Sequence, residues 1–264
     1  MIKDVIYNPI TNTFTVKNRD GNVGLANLMW HITGKCLLNC PYCFAHKNAE
    51  EFDINKIDNY INIFLKKGVQ KIDLSGGEPL LYKQLPTVCK KLANANIYFT
   101  ITTSAYVDDV ALMWLANNSK MFSRIIFSIN APIKDIHEKL NSAKDSFDNI
   151  VTYSKKISKI YNNIRINTVV TKEIISNEII QTFISLIKEI MPLEWCIIEQ
   201  YNGNKETEDA YKTFVDKIKK SQIDNINIIY RTTNIYNDYY VLQPNGDIFI
   251  RNDPFNKINI EDLK

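Results

Sequence analysis

The chain has 264 residues, 45% of them hydrophobic and 23% charged, and its 32 basic and 29 acidic side chains leave a net charge of +3. A chain of this length and polarity buries a sizeable core, as one α/β barrel or as two small domains. The near-neutral balance excludes nucleic-acid binding through bulk charge, and no apolar run approaches the roughly 18–20 residues that span a bilayer.

Met1-Ile2-Lys3-Asp4 opens the chain without an apolar signal core, so a cytoplasmic location is the expectation. Residues 4–7 and 13–16 read as two short strands around the turn Asn8-Pro9-Ile10-Thr11-Asn12. A strand at 28–33 follows, and a cysteine loop comes directly after it. Asp53 caps a helix in which Ile54, Ile57, Ile61 and Phe64 recur at helical spacing, and Gly68 stops it. A strand over 71–74 ends at Ser75-Gly76-Gly77-Glu78-Pro79. A helix at 84–94, a strand at 97–101 and a helix at 108–115 come next. After them are a strand at 124–129, a helix at 146–160 and a strand at 164–170. Ser176 or Asn177 caps a helix to about Ile190, a strand covers 195–198, and a helix covers 207–219. Six strand–helix pairs in succession imply parallel strands with helical crossovers. Six are too few for an eightfold barrel, so the expected fold is α/β, an open partial TIM-like (β/α)6 barrel. The tail changes to strands at 226–230 and 239–242, and Pro244-Asn245-Gly246-Asp247 turns a hairpin into 248–250. The expected organisation is N-terminal strands over 1–26, the barrel over 27–220 and a β-rich extension over 221–264.

The five cysteines are Cys36, Cys40, Cys43, Cys89 and Cys196, and the first three fall within eight residues. In a chain without an export signal such crowding reads as metal or cluster ligation rather than a disulfide framework. Structural zinc wants four closed ligands, and His46, three residues after Cys43, offers the fourth for a small non-enzymatic zinc module. An iron–sulfur cluster also usually takes four thiolates. If neither Cys89 nor Cys196 joins, one iron keeps an open position, as a catalytic metal requires. The cysteine loop and the Gly-Gly-Glu turn fall after the first and second strands, at the carboxyl ends where such folds place their active sites.

Cys36, Cys40 and Cys43, with Tyr42 just before the last cysteine, resemble the signature of radical S-adenosylmethionine (SAM) enzymes. Gly76-Gly77-Glu78-Pro79 looks like that family's methionine-binding turn, and the resemblance runs over roughly residues 27–200. It implies an oxygen-sensitive [4Fe–4S] cluster on the three cysteines and SAM chelated to the fourth iron. It also implies reductive cleavage of SAM to a 5′-deoxyadenosyl radical that takes a hydrogen from the substrate, with a reductase, flavodoxin or ferredoxin as electron donor. On the same resemblance Tyr42, Ser75, Gly76, Gly77 and Glu78 lie on the cofactor side, Glu78 more as a support of the loop than as a contact. Thr103 ends the third strand where many members carry Asn-Gly. Ser128 and Asn130 are similar to a Ser-x-Asp at the end of the fourth, and Asn141 lies where an arginine often meets the methionine carboxylate.

Several segments resemble viperin-like members, which act on a nucleoside triphosphate: Trp30-His31-Ile32-Thr33, Cys43-Phe44, residues 71–75, Arg165-Ile166-Asn167-Thr168-Val169 and Pro192-Leu193-Glu194-Trp195. Lys71, Arg165, Asn167 and Glu194 are the substrate-side candidates. Lys71 and Arg165 match basic positions of that subgroup, or are ordinary ion-paired residues. Glu194 and Cys196 stand where the subgroup has two more cations, and an acid in a polyphosphate cradle repels its ligand. A small, nucleotide-like but less charged substrate is therefore expected. Peptide modification is the alternative, although no cysteine follows Cys196 and only a short stretch precedes Trp30. Cys196 is either a small buried hydrophobe or, facing the lumen, a substrate contact or hydrogen-atom donor. Cys89 reads as packing. His137, Tyr236, Tyr239 and Tyr240 carry no mechanistic signal.

Overall fold

In the strands that follow residue 26, large apolar residues alternate with polar or charged ones. β3 (Asn27–Thr33) sets Leu28, Trp30 and Ile32 against Met29 and His31, and β4 (Lys71–Gly76) sets Ile72 and Leu74 against Lys71, Asp73 and Ser75. Successive side chains of a strand point to opposite faces. One face is therefore built for helices and the other for a polar lumen. Parallel strands buried on both faces usually read as continuous apolar runs, so this alternation already marks the inner face as unusual.

The computed structural model describes residues 5–8, 13–16, 27–45, 47–201, 203–232, 240–250 and 253–262. β1 (Val5–Asn8) and β2 (Thr13–Val16) form an antiparallel pair of their own; the predicted turn at 9–12 lies outside the described residues. A ten-stranded sheet contains the rest. Its centre is β3, β4, β5 (Tyr98–Thr103), β6 (Arg124–Ser128), β7 (Ile164–Val169) and β8 (Glu194–Ile198), each parallel to the next. The crossover helices are α1 (Ile57–Lys66), α2 (Leu85–Asn94), α3 (Asp109–Asn117), α5 (Ser146–Ser158) and α6 (Asn177–Ile190), and α7 (Lys205–Lys219) follows β8. These are the six expected strand–helix units of a partial barrel. A short helix, α4 (Lys134–Asn141), precedes α5 and has no counterpart among the predicted elements.

Local chemistry starts these helices where the sequence indicates. Asp53 accepts from Asn55 N at the 3₁₀ turn that leads into α1, and Ser176 accepts from Ile179 N at the start of α6. Trp30, Ile72, Ile101, Phe127, Ile166 and Trp195, on the helix-facing side of six strands, are all 0% exposed. Trp30 stacks in an aromatic cluster with Phe52, Tyr60 and Phe64, its ring 4.7 Å from that of Phe52. This cluster anchors β3 just before the cysteine loop.

The tail does not form a separate layer. β9 (Asn227–Arg231) adds parallel to β8 at one side of the sheet, and β10 (Tyr240–Leu242) adds parallel to β3 at the other. The expected hairpin then runs from β10 to β11 (Asp247–Ile250), with Gly246 at φ +95°. β12 (Asp253–Asn259), absent from the predicted elements, extends it. Strands β9 and β10–β12 therefore widen the barrel sheet on its two sides. Among the described residues, no helix is long and apolar enough to cross a membrane.

Candidate active site at the carboxyl ends of the strands

The loop after β3 carries Cys36 and Cys40, both half-buried, and Cys43, which is exposed. It is held from β4. Gly77 N donates to Thr33 O at 2.7 Å and Glu78 N to Lys35 O at 2.7 Å. The two glycines make this approach possible. Gly76 has φ +123°, and a Cβ there would lie 2.3 Å from Thr33 O; a Cβ on Gly77 would lie 2.0 Å from Lys35 O. In both cases the obstacle is backbone, which cannot step aside as a flexible side chain can. Close approach of a methionine is the reason the sequence suggests for these glycines. The structure adds an approach to the cysteine loop itself. Gly77→Ala is expected to cost about 1–3 kcal/mol of stability and to lower iron incorporation. A variant with wild-type melting and full iron on anaerobic reconstitution would contradict this.

Glu78 is 1% exposed, and both its oxygens accept protein donors: Leu80 N, Thr103 Oγ1 at 2.7 Å, and Ser104 N and Oγ at 2.8 and 2.6 Å. Burial pushes its carboxyl up, against these hydrogen bonds. It therefore ties the β4 turn to the end of β5 and supports the loop. Asn130 is tied as well, accepting from Val169 N at 3.1 Å. Tyr42, within the cysteine loop, is buried and donates to Asn141 Oδ1 at 3.0 Å; burial drives its hydroxyl pKa upward. Asn141 Nδ2 lies 2.7 Å from His137 Nε2, and burial holds that imidazole down to about 4, against a backbone hydrogen bond with Ala131. His46 lies outside the described residues.

A cavity of about 250 Å³ opens beside this loop. Cys36, Cys40, Tyr42 and Cys43 line it, together with the turn from Ser75 to Glu78. Thr103, Ser128, Asn130, Asn141 and Asn167, from four further segments, line it too. Asn167 Oδ1 is buried with no hydrogen-bond partner among the described residues. Sequence reasoning missed His31, Phe44, Glu199, Tyr201 and Arg231, which share this wall. Phe44 meets Tyr201 edge to face at 5.1 Å, and His31 Nδ1 is 3.3 Å from Gln243 Nε2. Glu199 and Arg231 follow or end strands β8 and β9. Counting β9 as a barrel strand rather than as tail is the signal that finds Arg231, and Glu199 directly follows the strand predicted at 195–198.

Lys71, Arg165 and Glu194 are not brought to this wall. They begin or nearly begin β4, β7 and β8, at the opposite ends of the strands from the cysteines, and form a buried floor. Arg124 Nη2 and Nη1 lie 2.9 and 2.8 Å from the two oxygens of Glu194, and Arg165 Nε and Nη2 lie 2.7 and 2.5 Å from Glu194 Oε2. Lys71 pairs with Asp73 at 3.5 Å, and Thr100 hydrogen-bonds to Asp73. Burial and the nearby Arg165 lower Arg124 to about 10, with Glu194 opposing, so it stays charged at neutral pH. Arg124, unremarked in the sequence, completes this ionic layer. Cys196 sits opposite Asn167 in the β7–β8 register, is 0% exposed and does not line the cavity; burial raises its thiol pKa.

Three cysteine thiols that line one cavity fit an iron–sulfur cluster, which is held by Cys thiolates. Cys89 is fully buried in α2 and does not line the cavity.

A model of the radical SAM superfamily matches residues 30–185. The chain belongs to the radical SAM superfamily. Membership brings that family's [4Fe–4S] cluster and SAM, and it removes the non-enzymatic zinc module. A GTP 3′,8-cyclase of Helicobacter pylori (strain HPAG1) is 28% identical over 159 residues, 56% of this chain and 48% of the relative. This radical SAM protein thus spans about half the length of that curated relative. Streptococcus suis SuiB, solved with S-adenosylmethionine and also with its precursor peptide SuiA, shares the fold. The SAM-bound structure has a TM-score of 0.72 at 18% identity and covers 91% of this chain and 65% of SuiB. A histidine-tagged anSMEcpe with bound AdoMet superposes at a TM-score of 0.68 and 18% identity, over 91% of this chain and 76% of that one.

Proposed function

We propose that this protein cleaves SAM reductively at a [4Fe–4S] cluster held by Cys36, Cys40 and Cys43, and that it acts on a small nucleotide-like substrate in the lumen. One observation carries the reading: these three cysteines open onto the same cavity as the Gly-Gly-Glu turn, while Cys89 and Cys196 are buried away from it. When bound, the cluster and SAM supply a 5′-deoxyadenosyl radical for hydrogen abstraction. The chain supplies placement and shielding. The turn from Ser75 to Gly77 sits beside the loop as the cofactor-side wall, and Thr103 and Ser128 continue that wall.

The substrate side is polar. Asn167, Glu199 and Arg231 face the cavity beside the Phe44–Tyr201 pair, a wall suited to a heterocycle with polar substituents. The relatives named GTP 3′,8-cyclase and the viperin-like segments support a nucleotide class. Glu194 already occupies the space between Arg124 and Arg165, so the floor disfavours a polyphosphate. Lys71 and Arg165 then act as structural ions rather than as substrate contacts. A reductase, flavodoxin or ferredoxin supplies the electron.

Anaerobic turnover against nucleosides, nucleoside monophosphates and triphosphates, sugars and short peptides tests this. Nucleosides or monophosphates are expected to stimulate 5′-deoxyadenosine release most. Stimulation by a peptide alone would replace the nucleotide reading.

A further inference from the structure

We infer that His137 and Asn141 act as a latch that fixes which end of the Asn141 amide faces the cysteine loop, and so sets the environment of the Cys40 sulfur. The inference rests on the proposed assignment of Cys40 as a cluster ligand. Both residues are 1% exposed. Asn141 ends α4, where Ser142 takes a left-handed φ of +54° and Ala143 N closes onto Glu138 O at 3.0 Å. The last residue of the helix is thereby a fixed point. From it, Asn141 O accepts from Asn39 N at 2.9 Å, in the middle of the cysteine loop. Its side-chain Oδ1 accepts from Tyr42 Oη at 3.0 Å and from the Cys40 thiol at 3.4 Å, a proton that Cys40 gives up on ligating iron. Its Nδ2 lies 2.7 Å from His137 Nε2.

The two ends of an asparagine amide are nearly the same size, so the hydrogen-bond partners decide its orientation. In the tautomer that carries its proton on Nδ1, His137 Nε2 accepts from the NH2 end. The oxygen is then left to face Cys40, and Tyr42 donates to that oxygen. His137 is itself set by its edge-to-face contact with Phe147, at 5.5 Å. The consequence is electronic as well as steric. Hydrogen bonds to cluster sulfurs raise the reduction potential, and the latch withholds one from Cys40. His137 and Asn141 are thus positioning residues: they keep the potential low and the loop in place.

The test uses the anaerobically reconstituted full chain and three variants. His137→Phe removes the acceptor, frees the amide to turn its NH2 toward Cys40 Sγ, and is expected to shift the midpoint potential in an EPR-monitored titration to more positive values. His137→Gln offers Oε1 as a replacement acceptor and is expected to restore the wild-type potential. Asn141→Leu deletes both ends of the amide and is expected to release iron to a chelator about 10-fold faster or more, the usual scale for partners behind a metal ligand. A wild-type potential in His137→Phe at full iron and sulfide would overturn the latch. So would wild-type iron release from Asn141→Leu, which decides the matter if His137→Phe does not fold. Cys40→Ala separates the two readings: full iron and sulfide in it would sink the ligand assignment. Cluster loss in Cys40→Ala with wild-type behaviour in the other variants would sink the latch alone.

Discussion

Cys36→Ala, Cys40→Ala and Cys43→Ala are each expected to reduce 5′-deoxyadenosine formation to background. On the proposed assignment each thiolate would hold its own iron, so losing one would expose a second iron to solvent and destabilise the cluster. Among the described residues the other two cysteines, Cys89 and Cys196, are 0% exposed and do not line the cavity, so neither thiol is placed to substitute. Iron and sulfide analysis of each variant should show a depleted cluster, and chromatography should show uncleaved SAM. Cys196→Ala is the control. Its thiol is enclosed beside Asn167, so cluster assembly should match the wild type. Retained cleavage in any of the first three, or iron loss in the control, would overturn the ligand set.

Glu194→Ala is expected to cost about 3–5 kcal/mol of folding free energy, the usual penalty for removing one partner of a buried ion pair. Glu194 is 2% exposed and lies within 2.9 Å of two guanidiniums through four nitrogen–oxygen contacts. Its loss removes the carboxylate that both Arg124 and Arg165 contact directly. Native stability is itself about 5–15 kcal/mol, so the variant sits near the edge of folding. At roughly 2–4 °C per kcal/mol for a chain of this size, the midpoint of anaerobic thermal unfolding should fall by about 6–20 °C. Replacing all three residues by apolar ones of similar volume should recover much of the loss, because the desolvation cost disappears with the charges. A fall of less than about 1 °C in Glu194→Ala would show that the floor is solvated and that the ion layer does not close it.

The six strand–helix units were legible because most of the helices carry a periodic apolar stripe and several have a clear start signal, Asp108 and Ser176 as caps and Asp53 at the 3₁₀ turn before α1. α4 escaped because its buried positions are His137, Leu140 and Asn141. Two of these are polar, and the helix is only eight residues long and mostly polar or charged, so its apolar stripe is short. The parallel pairing of Tyr240 with Leu28 joins distant ends of the chain, and no local pattern announces it. The same holds for Arg124, which as a charged residue at a strand start reads as ordinary until Glu194 is placed beside it.

Sequence alone determined that Cys36, Cys40 and Cys43 share one loop and that a Gly-Gly turn follows the next strand, because a loop keeps residues four and three apart close together whatever the rest of the chain does. Tertiary structure alone decided which side chains share a layer of the lumen. That depends on the mutual register of strands from distant segments. The register sent Lys71, Arg165 and Glu194 to a self-neutralising floor and brought Arg231 and Tyr201 to the cavity wall.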